Sequence, residues 1–139
     1  MRQNELLEII NNGESSKIEF KTADVHPIAL AEEIVAFANF EGGTILIGVD
    51  DFGAITGSTR EDMEDFVVNI CRNNVRPSII PLIEKININN KKVIAVSIPR
   101  GDTAYSTNRG LYFQGRFDQT DADTTRASEV ISKEKLVSA

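Results

Sequence analysis

At 139 residues, with 41% hydrophobic and 26% charged side chains, the chain has the balance of one globular domain, not of a disordered or membrane protein. Its formal net charge of -6 excludes a uniformly basic, phosphate-coating surface and leaves room for a local basic groove. A lone cysteine, Cys71, excludes an internal disulfide and a thiolate zinc cluster, and no apolar run approaches the roughly 20 residues that span a bilayer.

The opening "RQNELLEIINNG" places Leu6, Leu7, Ile9 and Ile10 on one side of a short helix that ends at Gly13, a face that packs on the domain or on a partner. This start lacks a basic end followed by an apolar run, so no signal peptide is expected and the cytoplasm is the expected location, with no membrane partner. "KIEFKT" alternates, Ile18 and Phe20 on one face and Lys17, Glu19 and Lys21 on the other, as in a half-buried strand. Pro27 opens a helix through Ile28, Ala31, Ile34, Val35 and Ala38, apolar enough to be buried, with Gly42 and Gly43 as its stop. "TILIGVD" is apolar on both faces and predicts a central strand, and "DDFGAITG" supplies a turn.

"REDMEDFVVNICRNNV" predicts a helix capped by Ser58 or Thr59, with acidic residues in its first turn and Pro77 as its end. "IIPLIEKININ" and "KKVIAVSIP" form a hairpin turned by Asn89 and Asn90. "GLYFQGRF" reads as a further strand, and "TTRASEVISKEKL" as a terminal helix capped by Thr125 or Ser128. The predicted fold is α+β, a single mixed sheet with packed helices, in one domain over residues 1–139.

Several side chains are candidates for chemistry. Glu14, Glu19 and Asp50 or Asp51 could gather around Mg²⁺ or Mn²⁺, with Lys21 steadying a phosphate, or they could be solvated charges at strand ends and turns. Glu19 and Lys21 share a strand face and could simply pair with each other. Arg72 and Arg76, four apart on one predicted helical face, and Arg100, Arg109 and Arg116, flanking the last strands, could together with Lys21 track a phosphate backbone. Lys91 and Lys92 in the hairpin read as ordinary solvated charges. Tyr105, Tyr112, Phe113 and Phe117 are the aromatics available for base stacking. His26, the only histidine, reads as an exposed loop residue, and Cys71 as a small buried apolar one. No Gly-x-x-x-x-Gly-Lys-Ser/Thr occurs, so no ATPase site of that type is encoded.

"ESSKIEFK", "EEIVAFANFEGGTILIGVDDFGAITG" and "TTRAS" together resemble the Schlafen-type AlbA-like domain, also called the divergent AAA-associated domain, over about residues 13–130. The resemblance implies an AlbA-like α+β fold and a nucleic-acid-binding module, with DNA or RNA as partner. Members are described as transcriptional regulators or as related to RecG-type helicases. The vertebrate branch implies an alternative, a divalent-metal endoribonuclease. Its first two carboxylates fall on Glu14 and Glu19, with Lys21 beside them, and its third on Asp50 or Asp51. Gln114 stands where the family has arginine, and an acidic insertion follows at 118–123. A third reading is a homodimeric assembly domain using the first helix and the last apolar strand.

Overall fold

The structure, a computed structural model, describes residues 1–110. The expected "GLYFQGRF" strand, the terminal helix and Arg116 lie outside the described residues. Three helices, α1 (Gln3–Asn12), α2 (Pro27–Ala38) and α3 (Met63–Asn73), accompany strands β1 (Ile18–Lys21), β2 (Gly43–Ile47), β3 (Val75–Arg76), β4 (Leu82–Ile88), β5 (Lys91–Ile98) and β6 (Ser106–Thr107). The fold is α+β with a mixed four-stranded sheet in the order β1-β2-β5-β4. β1 and β2 run parallel, joined by α2, as a parallel pair requires a long crossover. β5 is antiparallel to both β2 and β4.

β2 is central, as its two-faced apolar pattern predicts. Ile45 and Ile47 face α2 and α3, in a core with Ile34, Phe37, Val67, Cys71, Ile94 and Val96. Leu46 faces the other way, toward Leu6 and Ile10 of α1 and toward Phe20, Ile86 and Val93. Both faces of the central strand are therefore buried, and α1 packs on the sheet through Leu6 and Ile10. Each large apolar side chain so buried contributes about 1.5–3 kcal/mol.

The β4–β5 hairpin turns at Asn89 and Asn90, with φ of 51° and 64°, the left-handed pair that a two-residue turn needs and that asparagine tolerates. At the start of β2 the glycine pair is a packing requirement as well as a helix stop. A Cβ on Gly43 would lie 2.4 Å from the Phe37 ring, and one on Gly42, where φ is +79°, would lie 2.7 Å from the Ile98 carbonyl oxygen.

Two expectations along α3 are corrected. The helix starts at Met63 rather than after Ser58 or Thr59, because Ser58 Oγ accepts the Arg60 N–H (3.3 Å) and the Ser58 N–H donates to the Lys92 carbonyl (2.8 Å). Ser58 thus ties the preceding loop to β5. The helix also ends before Pro77, at Asn73, and Val75–Arg76 leaves it as strand β3, paired with β6. The ribbon β3–β6 has no clear trace in the sequence, since each strand is two residues long.

Candidate nucleic-acid interface

The carboxylates of "ESSKIEFK" have local partners. β1 is an edge strand, and the Phe20 N–H on its open side donates to Glu14 Oε2 at 2.8 Å. Just before it, Ser15 and Ile18 close the same edge with a reciprocal backbone pair. Glu14 therefore satisfies an edge donor that would otherwise be open to a foreign strand. Glu19 is 6% exposed, and Lys21 Nζ lies 3.3 Å from its carboxylate and 3.7 Å from that of Glu33 on α2. This triplet ties the strand to the helix that follows it.

Asp50 has a different task. Its Oδ1 accepts the N–H groups of Phe52 and Ala54, both at 2.9 Å, and holds the turn after β2. Asp51 is exposed at the same turn. Glu19 pairs in register with Ile45, on the strand that precedes Gly48, so the Asp50 turn begins beyond the end of the β1–β2 pairing. The expected set of Glu14, Glu19 and Asp50 or Asp51 is not gathered: among the described residues no three His, Cys, Asp or Glu side chains converge on a point where they could hold a metal ion.

The arginines are placed differently. Arg72 lies in the last turn of α3, and Arg76 belongs to β3, so the two do not share a helical face as the spacing suggested. The ribbon still brings them to one region: Arg76 pairs in register with Ser106, the Asn108 N–H donates to the Asn74 carbonyl (2.9 Å), and Arg109 follows directly. Asn39, just past α2, holds the ribbon in place. Its side-chain amide donates to the Tyr105 carbonyl (2.9 Å) and its Oδ1 accepts the Tyr105 N–H (2.8 Å). The Gly101 N–H donates to the Ala38 carbonyl (2.8 Å), which sets Arg100 at the same end of the molecule.

Arg72, Arg76, Arg100 and Arg109 are all exposed, and none forms an ion pair among the described residues. Lys17, Lys21, Arg60 and Lys85, in contrast, each face a carboxylate. Asp102 is the carboxylate nearest in sequence to Arg100, and Glu41, next to the Gly42 that approaches the Arg100 backbone, is engaged by Lys17 at 3.4 Å. Four acidic residues, Glu61, Asp62, Glu64 and Asp65, sit instead at the start of α3, opposite its arginine end. Arg60 donates to Asp62 at 2.7 Å, and this bond holds the Asp62 carboxyl below the usual carboxylate range.

The family model described as Schlafen, AlbA_2 matches residues 14–126. The chain belongs to this Schlafen AlbA_2 family. Its fold is similar to the solution structure of the N-terminal domain of a Nitrosomonas europaea protein described as related to the ATP-dependent DNA helicase RecG, with a TM-score of 0.61 and 25% identity over 73% of this chain and 75% of that one. A crystal structure of a Corynebacterium diphtheriae protein has a TM-score of 0.58 at 14% identity, covering 80% of this chain but only 24% of that protein, a likeness of fold alone. No curated protein matches the sequence. Within the Schlafen AlbA_2 frame, the Ala-Phe-Ala-Asn stretch gains a physical meaning: Phe37 packs on Gly43, and Asn39 clamps the arginine-bearing ribbon.

No helix among the described residues is long and apolar enough to cross a membrane.

Proposed function

We propose that this Schlafen AlbA_2 domain is a nucleic-acid-binding module, working beside a helicase or in the control of transcription, that grips the phosphate backbone with Arg72, Arg76 and Arg109 and reaches it with Arg100. The observation that carries the reading is the set of four exposed arginines without an ion pair among the described residues, in a chain whose net charge is -6. Guanidinium groups match phosphate oxygens two at a time, and exposed arginines with no carboxylate partner keep these donors open to an incoming phosphate. The structural likeness to the N-terminal domain of a RecG-related protein supports a helicase context.

Lys21 belongs to the framework in this reading, because Glu19 and Glu33 occupy it. The test is binding of duplex DNA and structured RNA at several salt concentrations, with Arg72→Ala, Arg76→Ala and Lys21→Gln compared. Each arginine variant is expected to weaken binding and to lower the slope of log affinity against log salt by about 1, while Lys21→Gln leaves the slope unchanged. Unchanged slopes in both arginine variants, with binding retained, would move the interface elsewhere; no binding at low salt would sink the proposal.

A further inference from the structure

At the opposite end of the sheet from the arginines, the loop 48–57 folds back over the start of β5. Gly48, at φ +109°, offers its carbonyl to the N–H groups of both Thr56 (2.8 Å) and Gly57 (2.9 Å). Gly57, at φ +74°, then passes so close to Lys91 that a Cβ there would lie 2.9 Å from the lysine Cβ. Only glycine allows this approach without strain. The result is a cavity of about 190 Å³ between residues 56–59 and Asn87, Asn90, Lys91 and Lys92 of the hairpin.

The lining has a definite chemistry. The residues that line it include two lysines, the hydroxyl-bearing Thr56, Ser58 and Thr59, and no acidic residue, in a chain with 21 of them. Lys91 Nζ gives one hydrogen to the Ile55 carbonyl at 3.1 Å, which fixes the ammonium beside the loop and leaves two more donors. Lys92 forms no ion pair among the described residues. A wider depression of about 560 Å³ continues from the cavity, sharing Asn87 and Asn90 and adding Gln3 and Asn89. All four residues carry neutral carboxamides, which both donate to and accept from hydroxyl groups; that of Gln3 already donates to the Asn87 carbonyl, which joins α1 to this rim.

We infer that this cavity is a phosphate-binding site, in which Lys91, Lys92 and the 56–59 hydroxyls take the phosphate of a ribose phosphate while the carboxamides beside it take the sugar hydroxyls. Cations with neutral donors and no acceptor carboxylate favour a phosphate dianion over a metal ion or an apolar ligand. The ribose phosphate can come from a free nucleotide-like molecule or from the phosphorylated 5′ end of a nucleic-acid strand.

The test is an NMR titration of the isotope-labelled protein with ribose 5-phosphate, with a 5′-phosphorylated oligonucleotide and with the same oligonucleotide lacking the phosphate. Wild type, Lys92→Gln and Lys91→Gln are compared, and unchanged core amide signals report that each variant is folded. Saturable shifts at 56–59 and 87–92 with a phosphorylated probe, absent for the unphosphorylated one and weakened roughly tenfold or more in Lys92→Gln, are expected. Shifts with ribose 5-phosphate mark a free small molecule; shifts with the 5′-phosphorylated strand alone mark a strand end. No shift with either phosphorylated probe, equal shifts without the phosphate, or equal affinity in Lys92→Gln overturns the inference. Arg72→Ala and Arg76→Ala, at the far end of the sheet, leave these shifts unchanged, so this site and the proposed arginine interface fail separately.

Discussion

Glu14 shows how a motif residue can be read in two ways until its partner is known. A carboxylate at this position suits a metal, but here its Oε2 accepts the Phe20 N–H on the outer edge of β1. Replacing it with Ala leaves that edge donor without its protein partner, and a cost of about 1–3 kcal/mol in urea unfolding is expected, together with faster aggregation through the opened edge. An unchanged midpoint and aggregation rate would show that water serves the edge equally well. Cys71 gives a pH prediction of definite sign. Fully buried against α2 and the sheet, its thiol is pushed by desolvation from an ordinary 9.0 up to about 12. The unfolded chain loses this proton near pH 9 and the folded one does not, so the stability present below pH 9 falls as pH rises from 9 toward 12, by about 1.4 kcal/mol per unit. Cys71→Ala lowers the starting stability but is expected to remove this part of the alkaline slope, measured as urea midpoints from pH 8 to 10.5. His26 is a residue whose role the sequence concealed: it is exposed, but its Nδ1 accepts the Ile28 N–H at 3.1 Å and caps α2. The Pro27 that follows is the available signal, since proline is favoured in the first helical turn just after the cap.

At the level of elements, the short ribbon β3–β6 is the part most dependent on others. Two residues a side cannot hold a strand pair on its own backbone bonds. Asn39 supplies the missing hold by gripping Tyr105 through both its amide nitrogen and its oxygen. Asn39→Ala is expected to raise hydrogen exchange across 105–108 and to cost about 1–3 kcal/mol, while exchange in β2 and β5 changes only with global stability. If Arg72, Arg76 and Arg109 act together, the same variant also weakens nucleic-acid binding without removing a cation. Exchange at 105–108 that stays at the wild-type level would show the ribbon to be held by its other contacts alone.

Across the whole molecule, charge and core are distributed by different rules. The sheet carries an apolar cluster on each face, so α1 is as much a part of the core as α2, although the family match begins only at residue 14. Leu6 is fully buried against Phe20 and Leu46, and Leu6→Ala is expected to cost about 2–5 kcal/mol, comparable with Ile34→Ala on the other face. A cost below about 1 kcal/mol would mean that α1 is a loosely attached cover. Charge is polarised along α3, acids at its start and arginines at and beyond its end, an order that suits the helix dipole and also separates an anion-seeking end from an anion-repelling one.

The sequence by itself determined the elements whose patterns are long and local: the period-two strand around Phe20, the two-faced β2, the buried α2 and the Asn89–Asn90 hairpin. Alternation, apolar runs and turn chemistry are properties of neighbouring residues, and each of these elements appears where they put it. It also carried the family, through a motif that spans α2 and β2. Only the tertiary structure decided which polar side chains meet. Glu14 finds a backbone donor six residues away, Lys21 finds Glu33 on the next helix, and Asn39 finds Tyr105 at a separation of 66 residues. The start of α3 likewise moved because Ser58 is held by β5, more than thirty residues later in the chain. A carboxylate or a lysine looks the same in sequence whether it is a ligand, a cap or a tie, because its role is set by the partner that folding brings to within about 3 Å.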